Sequence, residues 1–363
     1  SMSVYATEQG AMTGRGYRLF LDELTRLAGR TGDQRVPPIA ARVAEPPRVA
    51  VRGRPGAGCR TVAHALNGAG LTVVSSAFSA SVADVQLYVL AEALKPEDRD
   101  AIAAVRDARQ PLVIVLNKAD LSGFGGAGPM AAAQTRCAHF SALVGLPVVP
   151  MIGLLAASAF DFLDETCWLA LRALAAHPEG LTCLDGSFDG FLAAELTVSM
   201  PMRLRLLEAL DLFGVALGVA AVRRGAGPAE VRALLRRASG VDAVVAQAMA
   251  ARAPARYRRI LEAVTALEAM AVADERIARC LSGDNMVLAR MSAALDAVSA
   301  LHLEPEDIAT DDMAALLRRA VRWQYHRRSR GGTAGRVDAA CGADIVRGSL
   351  RLWSRAGGSG ELG

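Results

Sequence analysis

At 363 residues the chain is long for one ordinary core, which points to two domains. A hydrophobic content of 52% excludes a largely disordered protein, because that much apolar surface offsets the entropy of ordering. The net charge of +4 is modest for this length, and Lys95 and Lys118 are the only lysines beside many arginines. Six cysteines (Cys59, Cys137, Cys167, Cys183, Cys280, Cys341) carry no CxxC pair, so neither a zinc site nor a disulfide framework is indicated and a reducing cytoplasm is expected. The longest apolar stretch, Leu212 to Val222, is far short of the roughly 20 residues of a membrane span.

In chain order, residues 17–29 space Leu19, Phe20, Leu24 and Leu27 as one face of an amphipathic helix. Pro37, Pro38, Pro46 and Pro47 mark 33–47 as a linker, so 1–47 reads as an N-terminal helix and Pro-rich connection. Strands and helices then alternate. Strands are predicted at 48–52, 71–76, 85–90, 111–116 and 146–151, with helices from 61, over 96–109 and over 131–144. The run PLVIVL at 111–116 is apolar throughout, as a strand buried on both faces requires. The expectation for 48–178 is an α/β domain built on a reduced, mostly parallel sheet. Beyond about residue 185, three-to-four spacing of apolar residues predicts helices at 200–224, 228–252, 255–272, 285–302, 310–328 and 339–355. These read as an all-α helical bundle domain over 185–357, followed by a flexible tail at 358–363.

The segment RVAVRGRPGAGCRTVAHALN reads as strand, glycine-rich turn and helix. Amides of such a turn and of the helix N-terminus face a phosphate chain favourably, and Gly53, Gly56 and Gly58 allow close backbone approach. The loop resembles the GRPNxGKST form of the P-loop in Era-like GTPases. The resemblance implies a phosphate-binding set of Gly53, Gly56, Ala57, Gly58, Cys59, Arg60 and Thr61. Cys59 then stands where the family has its phosphate lysine, and Arg60 where it has the hydroxyl that holds Mg²⁺; Thr61 matches. Arginine's long planar head is no simple replacement for either group.

Asn117-Lys118-Ala119-Asp120 follows the buried run directly and resembles the NKxD guanine-recognition motif of the same superfamily. The resemblance implies that Asp120 accepts from the guanine ring N–H and exocyclic amine, that Asn117 ties the base loop to the phosphate loop, and that the Lys118 stem covers the base. Adenine lacks the donor pair, so an unpaired carboxylate would penalise it. The phrase at 83–90, ADVQLYVL, also resembles a strand of this superfamily. The position of the family's last motif reads Met151-Ile152-Gly153, where backbone amides would meet the guanine carbonyl oxygen.

Only 16 residues lie between Asn67 and Asp84, without an aspartate, so a switch region with its threonine and DxxG turn has no room. Thr72 falls inside a predicted strand, and Ser75, Ser76, Ser79 and Ser81 read as a polar loop. Lysine, magnesium hydroxyl and switch are lost together, which removes what stabilises transition-state charge and orients water. The expectation is a guanine-nucleotide-binding pseudo-GTPase that takes GTP or GDP, with Mg²⁺ left open, no catalytic residue and no metal ligand. Two alternatives stay open: an active atypical dynamin-like GTPase in which Arg60 and another basic group replace the lysine, and a nucleotide-free protein-interaction module.

Residues 202–240 and the following Ala/Leu helix resemble the helical portion of dynamin-like GTPases from actinobacteria. An N-terminal helix preceding the nucleotide domain agrees with that layout, since it can join the bundle. The resemblance implies a regulatory or scaffolding role toward a protein partner, with a complete dynamin-like GTPase as one candidate. Arg223-Arg224, Arg236-Arg237 and Arg327-Arg328-Arg330 read first as solvated helix ends, where cations suit the helix dipole. Contact with a membrane surface, placing the protein peripherally at the inner membrane, is the sharper reading. Nucleic acid is not expected, since only Trp323 and Tyr325 interleave with the basic residues.

Overall fold

The structure is a computed structural model and describes residues 15–46, 48–74, 83–108, 110–123, 128–161, 164–184, 187–300, 313–329 and 336–357. The chain divides into two compact units, one of Pro47–Ala248 and one of Ser1–Pro46 with Met249–Gly363.

In the first of these, β1 (Arg48–Gly53), β2 (Thr72–Val74), β3 (Val85–Ala91), β4 (Leu112–Asn117) and β5 (Val148–Pro150) form one parallel sheet in the order β2-β1-β3-β4-β5. Between them run α3 (Cys59–Gly68), α4 (Pro96–Asp107) and α5 (Pro129–Val144). Tyr88 and Leu90 of β3 and Ile114 and Leu116 of β4 share a core with Ile102 of α4 and with Cys137, Phe140 and Val144 of α5. The alternate residues Leu87, Val89, Val113 and Val115 are buried too, so both faces of these strands are covered. From β1 the chain crosses to β2 on one side, and from β3 it moves away through β4 to β5. The carboxyl ends of β1 and β3 therefore flank a topological switch point, where open α/β sheets place their ligands.

Four further helices of this unit follow the sheet: α6 (Gly153–Phe160), α7 (Glu165–Ala176), α8 (Phe188–Ala193) and the long α9 (Met200–Arg223). The segment expected as one helix over 228–252 is two, α10 (Pro228–Ser239) and α11 (Val241–Ala251), because Gly240 turns at φ 74 between them. The sequence places the start of a helical domain at 185, but α9 and α10 pack into the sheet unit. Leu206, Leu207, Leu210, Val215 and Val219 of α9 and Val231 and Leu235 of α10 share one core with Ala119, Ala133, Ile152 and Leu155. Helical periodicity shows which face is apolar, and it is silent on which surface that face covers.

The second unit is helical throughout among the described residues. It contains α1 (Arg15–Thr31), α2 (Val36–Ala44), α12 (Ala253–Ala271), α13 (Glu275–Ser282), α14 (Asp284–Ala300), α15 (Met313–Ser329) and α16 (Arg336–Arg355). The expected linker at 33–47 is mostly α2. Pro37 and Pro38 fall in its first turn, where amides have no helical acceptor and a missing N–H costs nothing. Phe20, Leu24 and Leu27 of α1 are buried with Tyr257, Ile260, Val264 and Leu267 of α12 and with Ala294 and Val298 of α14, so the N-terminal helix does join the C-terminal ones. Gly16 permits that approach, since a Cβ there would lie 2.3 Å from the Ala293 nitrogen. Tyr257 donates to Asp344 Oδ2 at 2.7 Å and Arg290 pairs with the same buried carboxylate, which fixes α12 and α14 to α16.

Candidate functional site

The glycine loop connects β1 to α3 with two left-handed residues, Gly56 at φ 83 and Gly58 at φ 85. The Ala57 amide donates to the Arg54 carbonyl at 3.1 Å, while those of Gly56, Gly58, Arg60 and Thr61 have no backbone partner among the described residues. They form an arc of donors at the N-terminus of α3. Gly53 is required by close packing, since a Cβ there would meet the Val89 carbonyl oxygen at 2.4 Å and Cys59 Sγ at 2.9 Å. Cys59 thus turns its sulfur back beneath the loop. Its thiol pKa is raised by burial, against a smaller lowering from its own amide, so it stands there as a neutral group. Iodoacetamide at pH 7.5 is expected to alkylate Cys59 more slowly than free cysteine, which mass spectrometry of the modified peptide will read.

Arg54 donates through Nε to Asp98 Oδ1 at 2.8 Å, and Asp98 also accepts from the Tyr88 hydroxyl and the Lys95 amide. That aspartate is fully buried, so the guanidinium is committed as its counter-charge. Arg60 lies exposed on the first turn of α3. Among the described residues, no cluster of three or more His, Cys, Asp or Glu is placed to hold a metal ion.

Asn117 ends β4, and its side chain bridges two loops. Its Nδ2 donates to the Ala57 carbonyl at 2.9 Å and its Oδ1 accepts from the Gly153 amide at 2.8 Å. Both partners are reachable because they lie beside glycines: a Cβ on Gly58 would sit 2.4 Å from Asn117 Nδ2, and one on Gly153 would sit 2.9 Å from Oδ1. Lys118 adopts φ 57, an uncommon conformation for a side-chain-bearing residue, and leaves its own side chain exposed. The chain then turns through a short 3₁₀ helix, Ala119–Ser122, pinned by the Ala119 amide to the Met151 carbonyl.

Asp120 on that turn is 7% exposed. Burial raises its carboxyl pKa; its own amide opposes this, the charge of Asp211 on α9 adds to it, and Lys118 lowers it. Among the described residues its carboxylate takes no hydrogen bond from another side chain. Its own backbone amide donates to it, which leaves acceptor capacity for further donors.

The structure therefore gathers Gly53, Gly56, Ala57, Gly58, Cys59, Arg60 and Thr61 on one loop and joins that loop to Asn117, Lys118 and Asp120 through the Asn117 amide. No protein-family model, curated protein or solved structure matches this chain.

Two participants escape the sequence reading, and a third was expected in another part. Gly153, expected among the backbone donors of 151–153, is instead the second anchor of Asn117. Ser239 accepts the Ile152 amide at 2.8 Å, and Asp211 charges the neighbourhood of Asp120; both come from helices whose docking no local pattern reveals. Of the expected backbone donors at 151–153, Met151 bonds Leu116, Ile152 bonds Ser239 and Gly153 bonds Asn117, so all three amides are engaged within the protein. Thr72 lies in β2, while Ser75, Ser76, Ser79 and Ser81 fall outside the described residues.

Two arginine clusters have local duties. Arg223 donates to the Ala175 and His177 carbonyls at the end of α7, and Arg236 pairs with Asp242 and stacks over Phe160. The side chains of Arg327, Arg328 and Arg330 fall outside the described residues. No described helix is long and apolar enough to cross a membrane.

Proposed function

We propose that this chain binds guanine nucleotide at the carboxyl ends of its parallel strands as a pseudo-GTPase, with weak or no hydrolysis, and that its helices serve a regulatory or scaffolding contact with a protein partner. The observation that carries this reading is Asp120, a buried carboxylate that takes no hydrogen bond from another side chain among the described residues, on the turn that directly follows Asn117. Guanine offers two adjacent donors to such a group, and adenine does not. The glycine loop supplies amide donors for phosphate oxygens, in the manner of the P-loop it resembles.

The same site argues against hydrolysis. A neutral thiol replaces the phosphate lysine, Arg54 is spent on Asp98, and the residue in the magnesium position is an exposed arginine. These groups do not fit Mg²⁺ between β- and γ-phosphates. GDP and GTP are accordingly expected to bind with affinities within about threefold of each other, unchanged by Mg²⁺, since the loop's amides are the phosphate ligands. Calorimetric titration of the full chain with GDP, GTP and ATP, with and without Mg²⁺, tests this. Binding of ATP as tight as that of GDP would sink the guanine reading; steady GTP turnover abolished by Asp120→Ala would instead establish the active enzyme.

Binding should depend on pH in a defined sense. The free site holds the Asp120 carboxyl pKa above its ordinary value, and guanine donors favour the ionised form, so binding releases a proton at pH values where the free carboxyl is still protonated. Affinity is therefore expected to fall as pH is lowered from 7.5 toward that raised pKa, which titrations at pH 7.5 and 5.5 will compare.

A further inference from the structure

With no room for a phosphate switch, the base end of the site is where the helices meet it. The core of α9 and α10 includes Ala119 of the base loop and Ile152 of the turn after β5, and α10 ends by accepting the Ile152 amide on Ser239. Within α9 the helix is broken at Asp211, with φ 56 and ψ 176, a conformation that side-chain-bearing residues occupy only under constraint from their surroundings. The constraint is visible on both sides of the break. Ser158 Oγ of α6 donates to the Ala209 carbonyl at 2.5 Å, and Leu155 of α6 presses on Gly214 so closely that a Cβ there would lie 2.4 Å from its Cδ2. Asp211 Oδ1 accepts from the Leu212 amide at 2.6 Å, which fixes its carboxylate at the break.

We propose that the break in α9 at Asp211 senses occupancy of the base site, so that nucleotide is reported to the helices from its base and not from its γ-phosphate. The inference rests on guanine binding at Asp120. The base loop and α9 share one core through Ala119, Leu206, Leu207 and Leu210, and across it the charge of Asp211 on the break disfavours ionisation of Asp120, which Lys118 opposes. Guanine donors placed on Asp120 offset that repulsion and favour the broken, docked form of α9. A ligand shifts such an equilibrium by its differential affinity for the two forms, and the coupling is reciprocal.

The test is hydrogen exchange of the full chain with GDP, GTP or ATP at concentrations that calorimetry shows to be saturating for GDP. Amides of 208–214 are expected to exchange at least about fivefold more slowly with GDP and to the same extent with GTP, and to be unchanged by ATP. Asp211→Asn, which removes the repulsion, is expected to tighten GDP binding about fivefold and to shrink the ligand-induced protection. Asp211→Gly, which also admits the positive φ freely, should abolish the difference between free and bound states while still binding GDP. Bound GDP that leaves 208–214 unchanged overturns the sensor and spares the site; protection by GTP alone also overturns it. Absence of GDP binding removes the site reading, and the sensor with it.

Discussion

Asp120→Asn is expected to weaken GDP binding by about 100-fold or more and to create affinity for the xanthine nucleotide. The wild-type carboxylate would accept two charge-assisted hydrogen bonds from guanine, each worth about 1.5–3 kcal/mol, and about 1.4 kcal/mol corresponds to a tenfold change in affinity. Asparagine keeps one acceptor but turns an amide donor toward the 2-amino group of guanine, so two donors face each other. Xanthine carries a carbonyl at that position and restores the pairing. The substitution is nearly isosteric and removes a buried charge that lacks side-chain partners, so the fold should survive it. Titrations of both proteins with GDP and XDP, alongside circular dichroism, give the answer. Unchanged GDP affinity in the variant means that Asp120 does not read the base.

The sheet was legible because each strand is a short apolar run closed by a turn signal; Leu112–Asn117, ending in a motif, is the clearest case. The base loop was legible for a related reason. Asn117, Lys118 and Asp120 act within four residues, so their chemistry is written locally. What the sequence concealed is long-range. Asn117 reaches Gly153 across 36 positions, and Ala57 across 60. Helix α9 shows the limit of periodicity most plainly. Its apolar spacing runs straight through Asp211, so the segment reads as one helix of an independent bundle. The contacts with Leu155 and Ser158 of α6 lie on either side of that break, and the core shared with Ala119 and Ile152 ties the helix to the sheet unit. The α2 segment erred in the opposite direction: prolines that punctuate a chain in general are also well suited to a helix's first turn.

Gly58→Ala is expected to destabilise this unit through the site itself. A methyl at residue 58 would stand 2.4 Å from Asn117 Nδ2, far inside contact distance, and the alanine would have to hold φ 85. The left-handed backbone costs about 1–2 kcal/mol. Displacing the Asn117 amide then strands buried partners of its two hydrogen bonds, at about 1–3 kcal/mol for an unsatisfied group. A total near 3 kcal/mol lowers the unfolding midpoint by about 6–12 °C in a unit of this size. Gly56→Ala separates the two contributions, because Gly56 has a similar φ of 83 and nothing within 4 Å of the added methyl. It should lose only the backbone component, on the order of 1 kcal/mol. GDP binding should follow the same order, nearly abolished in Gly58→Ala because the phosphate loop and base loop lose their shared tether. Equal thermal shifts for the two variants would show that Asn117 is not the joint between the loops. A larger loss at Gly58 locates the coupling in that one amide, which no stretch of the chain shorter than the span from Ala57 to Gly153 contains.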